Sequence, residues 1–315
     1  SEATLKTPLG NKAGLNISAR TSYINAIYGN LLRFEGYSTR YRFTDMNLSF
    51  ACEPRSGDRL TFTGYLGGDA MGLYGDEEDN TDIRWRNAAG SLAWDHACAC
   101  GAQSHTAVWT GAYDNNLALD NGTLDIVSHS MIVSCGARES LEWDLHGSGS
   151  LLTGLEYAFH TTLPVDIRSV GGVQSIEHDT TRDYAHELSA SADYTLRRGV
   201  FSLKAGLRGS FWYSDKAMGS LDPRLTLAVE VSPGHSLSFH AGTYRQYLHK
   251  VAVFDCGLPV DFWSVAQEGR PARFALSGTI AYNWTSEDGK WSAAAEVYGK
   301  RLLNTQTCAA SMLSL

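Results

Sequence analysis

The chain has 315 residues and a formal net charge of −8; 43% of its residues are hydrophobic and only 19% are charged. This composition excludes a disordered chain, and the acidic balance argues against nucleic-acid binding, which requires a basic surface. No apolar run approaches the ~20 residues of a membrane-spanning helix, and the opening residues, SEATLKTPLGNKAG, contain no apolar leader. The missing leader fits either a soluble protein or a mature or internal piece of an exported one.

Alternation of apolar and polar residues recurs along the whole chain and predicts about thirteen strands. They are expected at residues 15–28, 39–52, 59–68, 84–97, 104–113, 123–145, 151–161, 183–196, 201–213, 223–231, 236–247, 273–284 and 291–304. Segment 123–145 is expected to be one long strand with a bulge near Gly136. Because no segment carries a helical period, the pattern predicts an all-β chain.

Short turns and longer loops alternate between these strands. The short turns, such as EPRSGD and HGSGS, are rich in Gly, Ser, Asp and Pro, as tight antiparallel hairpins require. Longer loops join the intervening pairs, the longest of them lying at about 163–182 and 247–272. This alternation predicts an antiparallel up-and-down meander with tight turns at one end and long loops at the other.

Strand length and the chemistry of the two faces indicate which solvent surrounds the sheet. Several segments alternate over about 9–13 residues, and a tilted strand needs about 9–11 to cross a bilayer. One parity is apolar throughout, as in Leu188 and Ala190, and aromatic residues lie at its ends: Phe201, Phe211, Tyr213, Phe274 and Trp284. We therefore expect a transmembrane β-barrel with an interfacial aromatic girdle. The alternative is a soluble sandwich with a solvated polar face.

The opposite parity carries charges of both signs on neighbouring strands. In a membrane barrel this face lines a water-filled lumen, where cations and carboxylates pair across strands. The predicted lumen charge network comprises Glu187, Asp193, Lys204, Arg208, Arg224, Glu230, Glu296 and Lys300.

Several stretches resemble the barrel of TonB-dependent outer-membrane receptors, particularly those of Bacteroidetes-type bacteria. They include RSGDRLTFTGYLGGD, WRNAAGSLAW, the pair DYAHELSASADYTL and FSLKAGLRGSFW, and the run from LDPR through LPVDFW. The resemblance implies a 22-stranded barrel, of which residues 1–315 would be a fragment, without the plug domain that fills such barrels. It also implies location in the outer membrane.

The activity implied by the resemblance is import of a scarce ligand such as an iron chelate, cobalamin or an oligosaccharide. The implied partners are outer-membrane lipid, the small-molecule or oligosaccharide ligand, and the TonB complex, reached through an N-terminal plug region missing from this chain. No nucleic acid, cofactor or metal is expected.

Candidate ligand contacts lie around the long loop at 247–272 and in the acidic loop at 76–79. On the rim or lumen we expect Tyr244, Gln246, His249, Lys250, Asp261 and Trp263. The alternative for each is ordinary loop solvation and packing. The stretch GLPVDFW can instead fix how this loop folds over the mouth, with Pro259 setting the bend.

No catalytic motif is found, so we expect no enzyme: GxSxG is absent and no nucleophile has a matched His and acid nearby. The stretch HACAC, with His96, Cys98 and Cys100, resembles the start of a metal site but lacks a second ligand cluster. Disulfides cannot be assigned from the six scattered cysteines. Two further functions remain open: a passive porin or surface-binding barrel without energy coupling, and a soluble all-β binding module.

Overall fold

The structure is a computed structural model that describes residues 1–29, 33–34, 36–75, 79–122, 125–145, 147, 149–170, 181–252 and 261–306. Asp76 to Glu78, Cys256, Pro259 and Cys308, which the sequence singled out, lie outside these ranges. In the described part of the chain, no helix has the length and apolar character needed to cross a membrane.

The chain folds into a series of strands, as the sequence predicted. The strands are β1 (Glu2–Pro8), β2 (Ala13–Thr21), β3 (Arg33–Phe34), β4 (Tyr37–Cys52), β5 (Asp58–Tyr74), β6 (Asp79–Ala97), β7 (Ala102–Asn121), β8 (Asp125–Asp144), β9 (Ser150–Val170), β10 (Asp183–Arg198), β11 (Phe201–Tyr213), β12 (Ala217–Ser232), β13 (His235–Gln246), β14 (Leu248–Ala252), β15 (Asp261–Val265), β16 (Arg273–Thr285) and β17 (Ser292–Leu303), and the helix is α1 (Ile24–Tyr28).

These strands form one antiparallel meander. Its order is β1-β2-β4 and then every strand in sequence to β13, followed by β16 and β17, with β3 paired to β4. Tight turns fix the register: Pro233 and Gly234 connect Ser232 to its partner His235. Gly234 has φ +77, and a Cβ there would collide with the Thr285 carbonyl oxygen, so this turn requires glycine. The predicted all-β up-and-down topology is confirmed.

Residues 15–28 do not form one strand, contrary to the sequence prediction. Strand β2 ends at Thr21, and α1 follows. The departure has a physical cause, because side chains leaving the sheet take over backbone donors of β4. The Ser22 hydroxyl accepts a bond from the Phe43 N–H at 3.0 Å, and the Asn25 side chain accepts one from the Tyr41 N–H at 3.0 Å. Strand β1, which the sequence did not predict, pairs with β2.

Segment 123–145 contains the expected long strand, β8, but its irregularity lies elsewhere. The register shifts between His129 and Met131, not near Gly136. Gly136 is required by close packing instead: a Cβ there would lie 2.7 Å from both the Trp109 ring and the Tyr157 carbonyl oxygen.

Strands extend further into the loops than the sequence indicated. Strand β9 continues to Val170, and β5 continues to Tyr74. The extensions carry polar pairs: the Tyr74 hydroxyl donates to Asp82 at 3.0 Å, and the Tyr41 hydroxyl donates to Asp69 at 2.8 Å. The alternation of apolar and polar residues did not predict these strand ends, because polar side chains form their cross-strand contacts.

The two faces of the sheet differ in the way the alternation predicted. The outward face, which carries Leu188, Leu207 and Leu276, leaves these side chains 46–49% exposed. On β10 its end aromatics, Tyr184 and Tyr194, lie ten residues apart. With a rise of ~3.4 Å per residue and a tilt of about 45°, that spacing spans about 24 Å, the height of a transmembrane barrel's apolar band.

The inner face is partly covered by a hairpin made of β14 and β15, which is inserted between β13 and β16. Strand β15 packs against β8, β9 and β10. The buried core therefore lies between this hairpin and the wall. At the far end of the meander, β17 is exposed along its whole length, so the sheet is open in the described residues.

Candidate functional site

The inner face of β9 to β11 carries an ion-pair cluster. The Arg208 guanidinium lies 3.2 Å from Glu187 on β10 and 3.6 Å from Glu156 on β9. The sheet register places all three on the same face, because Arg208 pairs with Ser191 and Ser189 pairs with Glu156. Two carboxylates therefore flank one cation.

The other predicted lumen charges are less tightly paired. Arg224 lies 3.7 Å from Asp193, beyond hydrogen-bond distance. Among the described residues, the remaining members of the predicted network form no ion pair: Lys204, Glu230, Glu296 and Lys300. The structure thus brings four of the eight predicted charges into pairs.

Asp222 organises a second polar cluster that sequence reasoning missed. Its carboxylate is 6% exposed and accepts bonds from Ser220 at 3.2 Å, Thr243 at 3.3 Å and Arg245 at 3.4 Å. The only sequence signal was its place in the family-like LDPR stretch, which gave no partner.

The base of the hairpin is anchored by aromatic stacking. The rings of Trp212 and Tyr247 lie 4.9 Å apart and 8° from parallel. The Trp212 indole N–H donates to the Ala266 carbonyl at 2.9 Å, and the Tyr247 hydroxyl donates to Ser220 at 2.9 Å. Trp212 is fully buried, so the hairpin is fixed at its base to the inner face of β11 and β12.

A second anchor lies at the other end of β15. Phe262 packs against Ile83 and Leu117, which are both buried on the inner face of β6 and β7. The Asn115 amide donates to the Asp261 carbonyl at 3.5 Å. The hairpin therefore crosses the inner face from β7 to β11.

The structure divides the predicted ligand residues between the wall and the hairpin. Tyr244 lies on β13, and its hydroxyl shares a 2.9 Å hydrogen bond with His240; Gln246 ends the same strand and is exposed. On one hairpin face, Lys250 pairs with Asp261 at 2.6 Å, and Trp263 is the register partner of Lys250.

His249 lies on the opposite hairpin face, together with its register partner Ser264. It is fully buried, and both ring nitrogens lack a hydrogen-bond partner among the described residues. Burial, together with the charges of Arg273 and Arg270, lowers the pKa of His249 to about 4. The imidazole is therefore neutral at neutral pH.

The HACAC stretch ends β6 and enters the turn after it. Cys52, Cys98, Cys100 and Cys135 are free thiols. Desolvation raises the pKa of the Cys98 thiol, and the adjacent Cys100 raises it further, so Cys98 is a poor thiolate. In the described ranges no three His, Cys, Asp or Glu side chains are arranged to hold a metal ion. His96 instead pairs with Asp58 at 2.5 Å.

No protein-family model and no curated protein sequence matches the chain. Solved structures do match it. The copper transporter OprC matches with a TM-score of 0.68 and 11% sequence identity, over 96% of this chain and 51% of that one. The ferric enterobactin receptor PfeA of Pseudomonas aeruginosa matches with a TM-score of 0.65 and 13% identity, over 96% of this chain and 50% of that one. The siderophore receptor PiuA of Acinetobacter baumannii matches with a TM-score of 0.63 and 10% identity, over 94% of this chain and 54% of that one.

The chain spans about half the length of these structures. These proteins are named as receptors and a transporter, and at this sequence identity the likeness concerns the fold. It extends over nearly all of the described meander. The chain therefore has the barrel fold of TonB-dependent outer-membrane receptors, as its sequence predicted, and the meander of the described residues is an open part of such a barrel.

Proposed function

We propose that residues 1–315 are barrel sequence of a TonB-dependent outer-membrane receptor that imports a scarce ligand with TonB-supplied energy. The ligand classes are those expected from the sequence: an iron chelate, cobalamin or an oligosaccharide. In this proposal the chain contacts outer-membrane lipid, and the TonB complex acts through a plug region.

The exposed apolar outward face carries this proposal. This face exposes 47% of Leu207 on β11, 66% of Leu221 on β12 and 54% of Ile280 on β16. The opposite, inner face carries paired charges. A soluble monomer rarely exposes a continuous apolar surface of this extent, whereas lipid contact stabilises it. This contrast favours a membrane barrel over the soluble binding module.

Within the receptor, we assign ligand contact to the exposed part of the hairpin and the adjacent strand end. Lys250, Asp261 and Trp263 share one hairpin face, and Tyr244 and Gln246 lie at the end of β13. Charge and aromatic surface together suit a polar ligand with an extended body.

The hairpin also bears on the passive porin alternative. Because β14 and β15 lie across the inner face from β7 to β11, they narrow the lumen that an open pore would need. This arrangement favours a gated, ligand-binding barrel.

Membrane insertion is tested with the full chain expressed with a secretion leader. We expect recovery in the outer-membrane fraction, dependence on detergent for solubility, and faster gel migration without boiling than after boiling. A chain that is folded and soluble without detergent would exclude the membrane barrel.

Transport is tested in the source bacterium, where the gene that contains this chain is deleted and then restored. Growth on a ferric chelate, on cobalamin or on an oligosaccharide as limiting nutrient is compared with and without a protonophore. We expect one nutrient to require the gene and its uptake to stop with the protonophore. Gene-dependent uptake that resists the protonophore would support the passive barrel instead.

A further inference from the structure

A pocket lies behind the hairpin, on the face opposite Lys250. Its volume is about 570 Å³, in the range of small-molecule sites. One wall is formed by Val251, Phe262 and Ser264 of the hairpin, and the others by 269–271 and 304–306.

One buried polar group in the pocket wall and one beside it lack hydrogen-bond partners among the described residues. Ser264 lines it and is 1% exposed, and its hydroxyl has no hydrogen-bond partner among the described residues. His249, its register partner on the same hairpin face, is 0% exposed and has two unpartnered ring nitrogens. A buried polar group without a partner costs about 1–3 kcal/mol, so the Ser264 hydroxyl in the pocket wall indicates a polar occupant.

In the described part of the chain, the lining of the pocket contains one charged side chain, the cation Arg270. Arg273 lies near enough to His249 to act on its charge state. Asp183 lies 3.6 Å from the Arg270 guanidinium and forms an ion pair with it that is longer than a hydrogen bond. The Gln267 side-chain oxygen accepts bonds from Nε and one terminal nitrogen of the same guanidinium, so the donors of the other terminal nitrogen are the ones available to a ligand. No acidic side chain is among the lining residues.

Apolar surface completes the pocket. Val251 and Phe262 form its hairpin wall, and Pro271 lies in the facing turn. A bare inorganic ion would leave this surface empty, whereas an organic acid would cover it. The pocket therefore combines one guanidinium group, one free hydroxyl and an apolar wall.

We propose that this pocket binds a small organic anion, whose acid group contacts Arg270 and Ser264 and whose apolar body packs on Phe262 and Val251. The inference deepens the proposed function and rests on it, because it names an acidic organic group as part of the imported ligand. Arg270 can donate to such a group through its remaining terminal nitrogen, and a hydrogen bond between a guanidinium and an anion is stronger than one between neutral groups.

The binding test uses the full chain in detergent micelles with benzoate as the probe. Benzamide is the neutral isostere, acetate lacks the apolar body, and phenyl phosphate replaces carboxylate by phosphate. Saturation-transfer NMR, corrected for empty micelles, gives each affinity. We expect benzoate or phenyl phosphate to bind at least tenfold more tightly than benzamide and acetate. If benzoate and phenyl phosphate both bind no more tightly than benzamide, the proposal is overturned and water is left as the occupant.

Two variants locate the binding. Arg270→Gln is expected to weaken benzoate at least tenfold, and Ser264→Ala about threefold. Lys216→Gln, which removes an exposed cation paired with Glu268 in the neighbouring turn, is the matched control and should stay within twofold. Wild-type affinity in both pocket variants would overturn the proposal.

Two readouts separate the possible failures. Hydrogen–deuterium exchange of Asp261–Val265 reports whether the hairpin stays docked in each variant. If Arg270→Gln undocks it while Ser264→Ala binds benzoate normally, Arg270 has a structural role and the pocket proposal fails. Heat-modifiable gel migration of the same samples reports the barrel, so a failed pocket is distinguishable from a failed membrane assignment.

Discussion

Adjacent positions at the end of β11 show how differently the two faces of this sheet are used. Phe211 and Tyr213 are 52% and 50% exposed on the outward face, whereas Trp212 between them is completely buried. All three are aromatic, so side-chain type does not distinguish them. The difference arises because Trp212 meets a hairpin more than thirty residues away in sequence, while its neighbours meet the surrounding medium.

The comparison has an energetic consequence. Outward side chains are stabilised by contact with lipid or detergent. Because this contact is available to every strand, each outward side chain contributes independently to the stability of the folded chain. Inner side chains gain from particular partners, such as Trp212 with Tyr247 or Arg208 with Glu187. The stability cost of a substitution on the inner face should therefore depend on the contacts that its partner loses. On the outward face the cost should depend on the depth of the residue in the membrane.

The largest expected effect is that of Trp212→Ala. It removes the stacked ring beneath Tyr247 and the donor to Ala266, and a buried Trp→Ala change costs about 3–5 kcal/mol. Urea titration of the full chain in micelles measures the free energy of unfolding. Phe211→Ala is the control on the outward face and should cost less than half as much. Equal losses would show that the hairpin does not stabilise this wall.

The next effect separates lipid from lumen. Leu207→Arg places a cation near the middle of the outward face and should cost about 2–4 kcal/mol in a folding titration into lipid vesicles. Thr63→Arg is the matched inner control, because Thr63 is exposed and bonded only to Ser91 among the described residues. It should change stability by less than about 1 kcal/mol. A similar cost for both arginines would refute the assignment of the faces.

The third effect is a pH dependence of the hairpin. In the folded chain the pKa of His249 is about 4, against 6.5 for an ordinary histidine. The unfolded chain therefore binds this proton more readily, so stability is complete above pH 6.5 and falls as the pH drops towards 4. The loss is at most about 3 kcal/mol. His249→Phe should remove this part of the pH slope, measured as the difference between the two proteins. An unchanged slope would mean that His249 is not buried in solution.

The sequence was most informative where a feature depends on alternation along one strand. The parity of β10 to β12, and hence the outward and inner faces, followed directly from residues such as Leu188 and Arg208. Features that depend on distant contacts were not accessible. The residues near Ser22 and Asn25 do not indicate that these side chains accept bonds from backbone donors of β4. Alternation alone therefore predicted a strand at α1.

The candidate site shows the same division. Position within the long loop identified His249, Lys250, Asp261 and Trp263, and the hairpin register then places His249 on the face opposite the other three. That separation could not be predicted from the sequence. Alternation along β14 shows which residues share a face, but only the pairing with β15 and the packing on the wall show what each face contacts. Asp222 was missed because its donors, Ser220, Thr243 and Arg245, come from two strands.

The smallest expected effect tests whether the inner charges act as a unit. Arg208→Gln leaves Glu187 and Glu156 facing each other without the cation between them, so it should cost about 1–3 kcal/mol of unfolding free energy. Glu187→Gln alone should cost less, because Arg208 keeps Glu156. In the double variant the neutral pair replaces a half-buried ion pair, and part of the loss should be recovered. Strict additivity of the two single changes would show that the charges are solvated separately, in which case the inner face would resemble an ordinary protein surface more than a structured lumen.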